Sequence, residues 1–469
     1  MERPKVGLLA FGDPRDEVYE RAPEVWRQVV DIYDNAARIL EEKCGFEVLR
    51  AKEVVRSKKS AFESAAELIW RGAECLILLI PAWTFPVLPL YSAKKAKECN
   101  IPVLIYGDYM LSGLLATSGA LKQVGIMHKF VWGKLTDEKI VREINSFVRA
   151  ASTALRLRGL TYGVFGGRSL GIYTATADLA QWQKIFGIDI EHVDQIEIVR
   201  EAEKVSRGRV EKFMSWLEEN CGLIEIKEPI LTREKLERQV RCYLALKDLT
   251  KKKNFDFVGI KCQPELSDGY VTQCLSAAFM NDHYDAEGPK EPIVCACEVD
   301  HDGALTMQIL KLISGGKPVL FMDLLFLDYE NRTFICGNCG GMATWFAKRS
   351  DDPKVNLREV HLRPQVQGKA GGATTQYVAA SAETATLARL FRKEGEYYMV
   401  VMKGKFINMP RETLKEKSIW PWPHVFVKVD RDPFEILEEY GANHIHAVVG
   451  DYVKELVEFC QITRIKCKT

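Results

Sequence analysis

The sequence predicts an α/β protein with two doubly wound α/β domains followed by a β-rich, barrel-like C-terminal domain. Three observations carry that expectation. Short apolar runs alternate with amphipathic helical patterns through the first 150 residues. The same rhythm restarts at Thr161, and from about residue 330 long helices give way to short β-rich pieces separated by Gly, Pro and Asn. A chain of 469 residues accommodates about three domains of roughly 150 residues each. The boundaries are drawn at 1–157, 158–315 and 316–469.

In the first domain, strands are expected at 5–11, 75–80, 102–106 and 129–132. Helices at 17–44, 60–71 and 136–155 carry apolar positions at three-to-four spacing, so crossover helices should cover both faces of a parallel sheet. After the basic joint at 156–159, strands are expected at 161–165, 255–260, 293–297 and 319–322, with helices at 208–221 and 232–251 between them. The Lys251-Lys252-Lys253 run reads as a solvated helix end. The third domain shows β-rich pieces at 358–364, 397–403 and 424–429, then a helix at 451–461. No repeat of 20 to 50 residues and no low-complexity tract interrupts this reading.

Composition excludes several classes. Lys and Arg number 65 against 64 Asp and Glu, a net charge of +1, so no basic excess is available to neutralise phosphates and nucleic acid is not an expected partner. The longest nearly unbroken apolar stretch, 75–83, is nine residues where a membrane span needs about twenty. No membrane association is expected, the start lacks a signal-peptide pattern, and a cytoplasmic protein is the default. Thirteen scattered cysteines, an odd number, fit reduced thiols better than a disulfide framework.

The segment from Ile293 to Gly303 ends an apolar strand in a burst of ionisable residues and then opens a helix. Ligands bind at the carboxyl ends of strands in open α/β sheets, which draws attention to Glu298; a salt bridge to one of the lysines is its structural alternative. Asp302, immediately before the helical run at 303–314, is expected to be that helix's N-cap. The run from Lys317 to Asp323 repeats the pattern of an apolar strand ending in a carboxylate. Two neighbouring strands would present Glu298 and Asp323 at one sheet edge, where paired carboxylates bind a divalent cation or divide acid and base roles. Asp328 reads as a turn residue with Tyr329 and Asn331.

His444 and His446 lie at strand spacing, so both imidazoles should share one face. They are either structural or, joined to the carboxylates, part of an N/O donor set suited to Mn²⁺, Fe²⁺, Co²⁺ or Zn²⁺. Cys336 and Cys339 have CxxC spacing, but Cys295 and Cys297, one residue apart in an apolar strand, fit packing better than a zinc ribbon. The glycine-rich stretch from Gly163 to Gly171 lacks both the Walker A ending and the GxGxxG spacing. A tight turn, or backbone approach to a small polar ligand, is its expected use.

Taken in order, Gly166-Gly-Arg-Ser-Leu-Gly-Ile-Tyr-Thr, Phe186-Gly-Ile-Asp, Asp194-Gln-Ile-Glu-Ile, Cys297-Glu298 through Gly303-Ala-Leu-Thr, Phe321-Met-Asp323, Trp422-Pro-His-Val-Phe-Val-Lys and Gly441-Ala-Asn443-His444 resemble the L-fucose isomerase family, relatives of the L-arabinose isomerases. The resemblance implies one Mn²⁺ per site, with other divalent metals such as Co²⁺ as substitutes. It also implies a homo-oligomer, hexamer or trimer, in which a neighbour's first domain helps close the pocket. Carried over by position, Glu298 and Asp323 resemble the family's metal-binding carboxylates and acid/base pair, and His444 its third metal ligand. Trp83, Gln263, Trp422 and Asn443 resemble sugar-contacting positions, with Trp83 serving the adjacent subunit. One departure is Ile335, where relatives often place His before the Cys-Gly-Asn run. The expected function is a metal-dependent aldose–ketose isomerase acting through an enediol on an open-chain sugar such as L-fucose, D-arabinose or L-arabinose. The alternative is a non-catalytic sugar-binding or regulatory protein, which has no use for Glu, Asp and His converging on a metal.

Overall fold

The computed structural model describes residues 2–469. They divide into two compact units, one built from the chain up to Arg156 with Lys454–Ile462, the other from Leu157–Val453 with Thr463–Thr469. Among the described residues no helix is long and apolar enough to cross a membrane.

The first unit is a five-stranded sheet in the order Glu47–Arg50, Lys5–Ala10, Cys75–Leu79, Val103–Gly107, Lys129–Trp132, with every pairing parallel. Parallel strands need crossovers, and the helices supply one apolar layer on each face. Pro23–Glu42 and Glu138–Arg156 contribute Tyr33, Leu40, Ile144 and Phe147 to one layer. Lys58–Trp70, Val87–Glu98 and Leu111–Gln123 contribute Leu68, Leu88 and Leu114 to the other. Strand order reverses between Lys5–Ala10 and Cys75–Leu79, which opens the ligand crevice of such sheets. The segment leaving the second of these strands carries Trp83 and Thr84, and Thr84 Oγ1 donates to the Gly12 carbonyl across the crevice (2.8 Å). Lys129 pairs with Glu458, and Lys454 with Glu143, tying Lys454–Ile462 to this unit.

Three differences from expectation have local causes. The helix expected at 17–44 divides into Asp16–Arg21 and Pro23–Glu42, because Pro23 lacks an N–H and opens the second helix at its first position. Val87–Glu98 and Leu111–Gln123 begin without a side-chain cap, so no start signal marked them. Glu47–Arg50 is a short edge strand in which only Leu49 is buried, too brief to show a period.

The second unit holds two principal sheets. Four parallel strands run in the order Cys295–Cys297, Phe257–Ile260, Thr161–Phe165, Asp189–Val193. The antiparallel sheet runs Ala382–Lys393, His444–Val449, Leu320–Asp328, Thr333–Gly337, His424–Val429, Glu396–Ile407, and the last strand pairs back to the first. That pairing closes a six-stranded barrel and leaves no open edge among the six. Leu320, Met322, Ile445 and Ala447 join the main apolar core. The alternate residues Phe321, Asp323, His444 and His446 face the other way, towards the helix His301–Ile313 that packs on these strands.

The strand expected at 319–322 is therefore a barrel strand, Leu320–Asp328, and not a neighbour of Cys295–Cys297. Only four residues separate it from Thr333–Gly337, with Asn331 N donating to Asp328 Oδ1 (3.2 Å), and so short a connection permits only an antiparallel pair. Glu298 and Asp323 consequently reach each other from different sheets.

Gly259 in the parallel sheet is a point of close approach: a Cβ there would lie 2.0 Å from Tyr162 Oη and 3.2 Å from the Val299 Cα. Tyr162 is fully buried and stacked on Phe257 (4.8 Å between centroids), so it has little room to yield. Gly259→Ala is expected to lower unfolding stability by about 1–3 kcal/mol, read from the urea midpoint against wild type.

Candidate active site

The site is built where the end of the Cys295–Cys297 strand meets the barrel face carrying Asp323 and His444. Glu298 (φ 58°) and Val299 (φ 53°) are both left-handed, and the Asp300 N–H donates to the Cys297 carbonyl (3.2 Å). Two positive φ angles in succession make a tight primed turn, which normally takes Gly, Asn or Asp; a β-branched Val there is strained by about 1–3 kcal/mol. The turn is pinned from outside. Val299 N donates to the Ile260 carbonyl (3.3 Å), and His301 Nδ1 donates to the Val299 carbonyl (2.8 Å). Burial lowers the pKa of His301 to about 4, so it acts here as a neutral donor.

Asp300 is the centre of this arrangement. Its side chain, fully buried, accepts from Gly303 N (3.0 Å), from Arg389 Nη1 (2.5 Å) and Nη2 (2.9 Å), and from His444 Nδ1 (2.7 Å). Burial alone would raise its pKa, but Arg389 and His444 hold it well below the usual carboxylate range. It is also the N-cap of His301–Ile313, the role expected of Asp302. The helix starts two residues earlier than its apolar pattern suggested, which leaves Asp302 in the first turn. There it is buried against Arg392 Nε (3.1 Å) and Tyr397 Oη (3.0 Å), and burial pushes its pKa up to about 6.

With Nδ1 engaged by Asp300, His444 presents Nε2 to Glu298 Oε2 (3.3 Å) and Asp323 Oδ1 (3.2 Å). Burial would lower the pKa of His444; Asp323, Asp300 and Glu298 together hold it well above its ordinary value. Asp323 stands directly opposite His444 in the strand register, and each of its oxygens meets an amide: Asn443 Nδ2 at Oδ1 (3.3 Å) and Asn338 Nδ2 at Oδ2 (3.1 Å). His446 shares the face of His444 but binds Arg389 Nη1 through Nε2 (3.0 Å), so it supports the arginine from within.

The trio brings together two carboxylates and an imidazole whose remote nitrogen is fixed by a third carboxylate, the donor chemistry and outer support that a divalent cation takes. As the side chains lie, Nε2 touches both carboxylates directly. Among the described residues no three His, Cys, Asp or Glu side chains stand at ligating separation.

The other expected contacts are placed as follows. Asn443 is exposed beside Asp323 and His444 Nε2 (3.0 Å to the latter). Trp422 is buried, its Nε1 donating to Gln365 Oε1 (3.2 Å), and Gln365 Nε2 donates in turn to the Cys339 carbonyl next to Asn338. Gln263 is half-buried at the strand-order reversal of the parallel sheet, bonded to Gln367 Oε1 (2.9 Å). The glycine-rich loop meets it there: Ser169 Oγ donates to the Gln263 carbonyl (3.2 Å), and a Cβ on Gly166 (φ 103°) would lie 2.8 Å from the Lys261 Cβ. Trp83, 38% exposed, belongs to the first unit. Ile335 packs with Leu414 and Phe426 in a small separate cluster. Sequence reasoning missed Asn338, although its Cys-Gly-Asn run had been noticed, and Arg389, whose signal was a lone Arg inside the apolar run Thr386-Leu-Ala-Arg389-Leu-Phe.

Residues 3–159 match the family model described as the first N-terminal domain of L-fucose isomerase, and residues 336–469 match the model of its C-terminal domain. The protein is an enzyme of the aldose–ketose isomerase class. It belongs to the L-fucose isomerase family. It is 24% identical to sulfoquinovose isomerase of Alkalicoccus urumqiensis over 357 residues, covering 74% of this chain and 73% of that protein. It is 22% identical to L-fucose isomerase of Vibrio vulnificus (75% and 73% covered), and 20% identical to L-fucose isomerase of Streptococcus pneumoniae over 99% of this chain and 93% of that one.

Removing one partner of a buried pair strands the other charge. Asp300→Ala is expected to cost about 3–5 kcal/mol, and the double variant Asp300→Ala/Arg389→Leu to regain part of that loss; chemical denaturation of both checks it.

Proposed function

We propose that this protein is a metal-dependent isomerase that interconverts an open-chain aldose and its ketose through an enediol. The observation that carries the reading is the convergence of Glu298 and Asp323 on His444 Nε2 at 3.3 and 3.2 Å. Moving a proton between C1 and C2 needs a group that takes a proton from one carbon and a group that returns one to the other. Two carboxylates flanking one substrate position can divide that work, and a positioned acid or base contributes typically about 10²- to 10⁴-fold. Their side chains are 14% and 23% exposed, open enough to meet a sugar and sheltered enough to exclude bulk water. The amides of Asn338 and Asn443 fix where the oxygens of Asp323 point. Asp300 fixes the imidazole. A divalent cation such as Mn²⁺ or Co²⁺, held by Glu298, Asp323 and His444, supplies Lewis-acid polarisation of the sugar carbonyl when bound.

The relatives named L-fucose isomerase support an open-chain aldose such as L-fucose, D-arabinose or L-arabinose as substrate. Sulfoquinovose is the second reading, favoured by the 24% identity with a sulfoquinovose isomerase. Trp422, Gln263 and Asn443 are proposed sugar contacts. The enzyme is proposed to work in the cytoplasm as a homo-oligomer, hexamer or trimer, with Trp83 of one subunit serving a neighbour's site. Trp83 lies at the strand-order reversal of its own sheet, the place where such sheets meet ligands.

The test is a panel of L-fucose, D-arabinose, L-arabinose and sulfoquinovose, assayed for ketose with Mn²⁺, after chelation, and after Mn²⁺ is restored. Ketose is expected from at least one aldose, activity should vanish on chelation and return, and Glu298→Gln should lower kcat by about 10²-fold or more. No ketose from any sugar, or full activity in Glu298→Gln, would overturn the reading.

A further inference from the structure

Two thiols of the site take no part in the chemistry described above, yet they sit at the two places where its carboxylates are anchored. Cys297 is the last residue of its strand and immediately precedes the strained Glu298–Val299 turn. Cys339 immediately follows Asn338, whose amide holds Asp323 Oδ2. The two sulfurs face each other at 3.9 Å, although the residues are 42 positions apart and belong to different sheets and connections. Cys336, the other half of the CxxC spacing, is buried in the main core, so that motif does not describe the pair. Cys297 and Cys339 are both buried, with 5% and 7% of their surface exposed.

We propose that Cys297 and Cys339 form a reversible disulfide, produced by two-electron oxidants of the hydroperoxide class, that switches this isomerase site off. The inference rests on the isomerase reading for its effect and on geometry alone for the bond. The step balances: one thiol gives up its proton, its sulfur attacks a peroxide oxygen, the O–O bond breaks, and the released proton converts the departing hydroxide to water, leaving a sulfenic acid. The second thiol then attacks that sulfur, the S–O bond breaks, and its proton leaves with the hydroxide as water, so two thiols and one hydrogen peroxide yield one disulfide and two waters. A dithiol reverses it by exchange.

The bond would move the site. A disulfide holds its sulfurs about 2.05 Å apart, so the two sulfurs must close by roughly 2 Å from their 3.9 Å separation, through side-chain rotation together with movement of the backbone that carries them. The backbone at Cys339 is gripped, since its carbonyl accepts from Cys274 Sγ (3.1 Å) and from Gln365 Nε2. Beyond it Gly340 (φ 136°) is packed so closely that a Cβ would lie 2.6 Å from the Cys274 Cβ, and its carbonyl accepts from Thr375 Oγ1 (3.0 Å), while Gly341 N donates to Asn338 Oδ1 (2.8 Å), so a shift on this side is passed to Asn338. On the other side, the first joint past Cys297 is the left-handed pair that aims Glu298. Displacement therefore passes into Glu298, into Asn338 and Asp323, or into both, and a misplacement of about 1 Å at a reacting group can cost on the order of 10²-fold.

The experiment treats the purified full-length enzyme with graded hydrogen peroxide, blocks remaining thiols with N-ethylmaleimide, maps linked peptides by mass spectrometry and assays the same samples on the preferred aldose. A Cys297–Cys339 linkage should appear in step with a fall in activity of at least about tenfold, and dithiothreitol should reverse both. Cys339→Ala should keep its activity under the same peroxide; should that variant not fold, Cys297→Ser takes its place. Absence of the linkage, a Cys274–Cys339 linkage in its place, or the expected linkage at undiminished activity would each overturn the inference. A protein inactive on every aldose before oxidation would overturn the isomerase reading instead, while the peptide map still decides whether the bond forms.

Discussion

The buried carboxylate of Asp300 is the constraint on which the site depends. It caps a helix, neutralises a fully buried arginine and fixes the orientation of His444, all through one side chain. Burying such a charge carries a desolvation cost of several kcal/mol, and only the four hydrogen bonds and the opposite charge of Arg389 offset it. What this arrangement specifies is position. With Nδ1 held, Nε2 can point only at the space between Glu298 and Asp323. Arg389 is in turn braced by His446, so the hub is supported from the barrel as well as from the parallel sheet.

Two sheets of different kinds contribute one carboxylate each, and their geometries explain why. The parallel sheet delivers Glu298 from a strand end, where chain direction must change and a strained turn can aim a side chain. The closed barrel delivers Asp323 and His444 as opposed residues on adjacent strands, where the two-residue period places them side by side. A strand end can be re-aimed by small backbone changes, whereas a ladder pair cannot. The site therefore joins one adjustable group to two rigid ones, and the Cys297–Cys339 contact lies at the adjustable joint.

Much of this was legible from residue pattern. The rhythm of the two α/β regions, the exact strand at 161–165 and the β-rich C-terminal part follow from apolar periodicity, because each of these strands is buried in a way that leaves its period visible. Glu298, Asp323 and His444 stood out because each ionisable residue closes or opens an apolar run. What was not legible depended on partners distant in sequence. Asp300 and Asp302 look alike in the chain; the one that caps the helix is also the one buried against Arg389, a partner 89 residues further on. The sheet to which Leu320–Asp328 belongs is decided by its pairings with Thr333–Gly337 and His444–Val449, not by its own apolar content. The helix Val87–Glu98 has no cap and only modest amphipathicity, so it is held by packing and leaves little local trace.

The central claim is that the carboxylates beside His444 move a proton rather than merely arrange a hydride shift. Both side chains retain some exposure, so a proton resting on either can exchange with water. Isomerisation in D₂O followed by NMR of the ketose tests this directly: the account predicts solvent deuterium at C1 of the product. Quantitative transfer of the original C2 hydrogen to C1, with no deuterium entering, would contradict it.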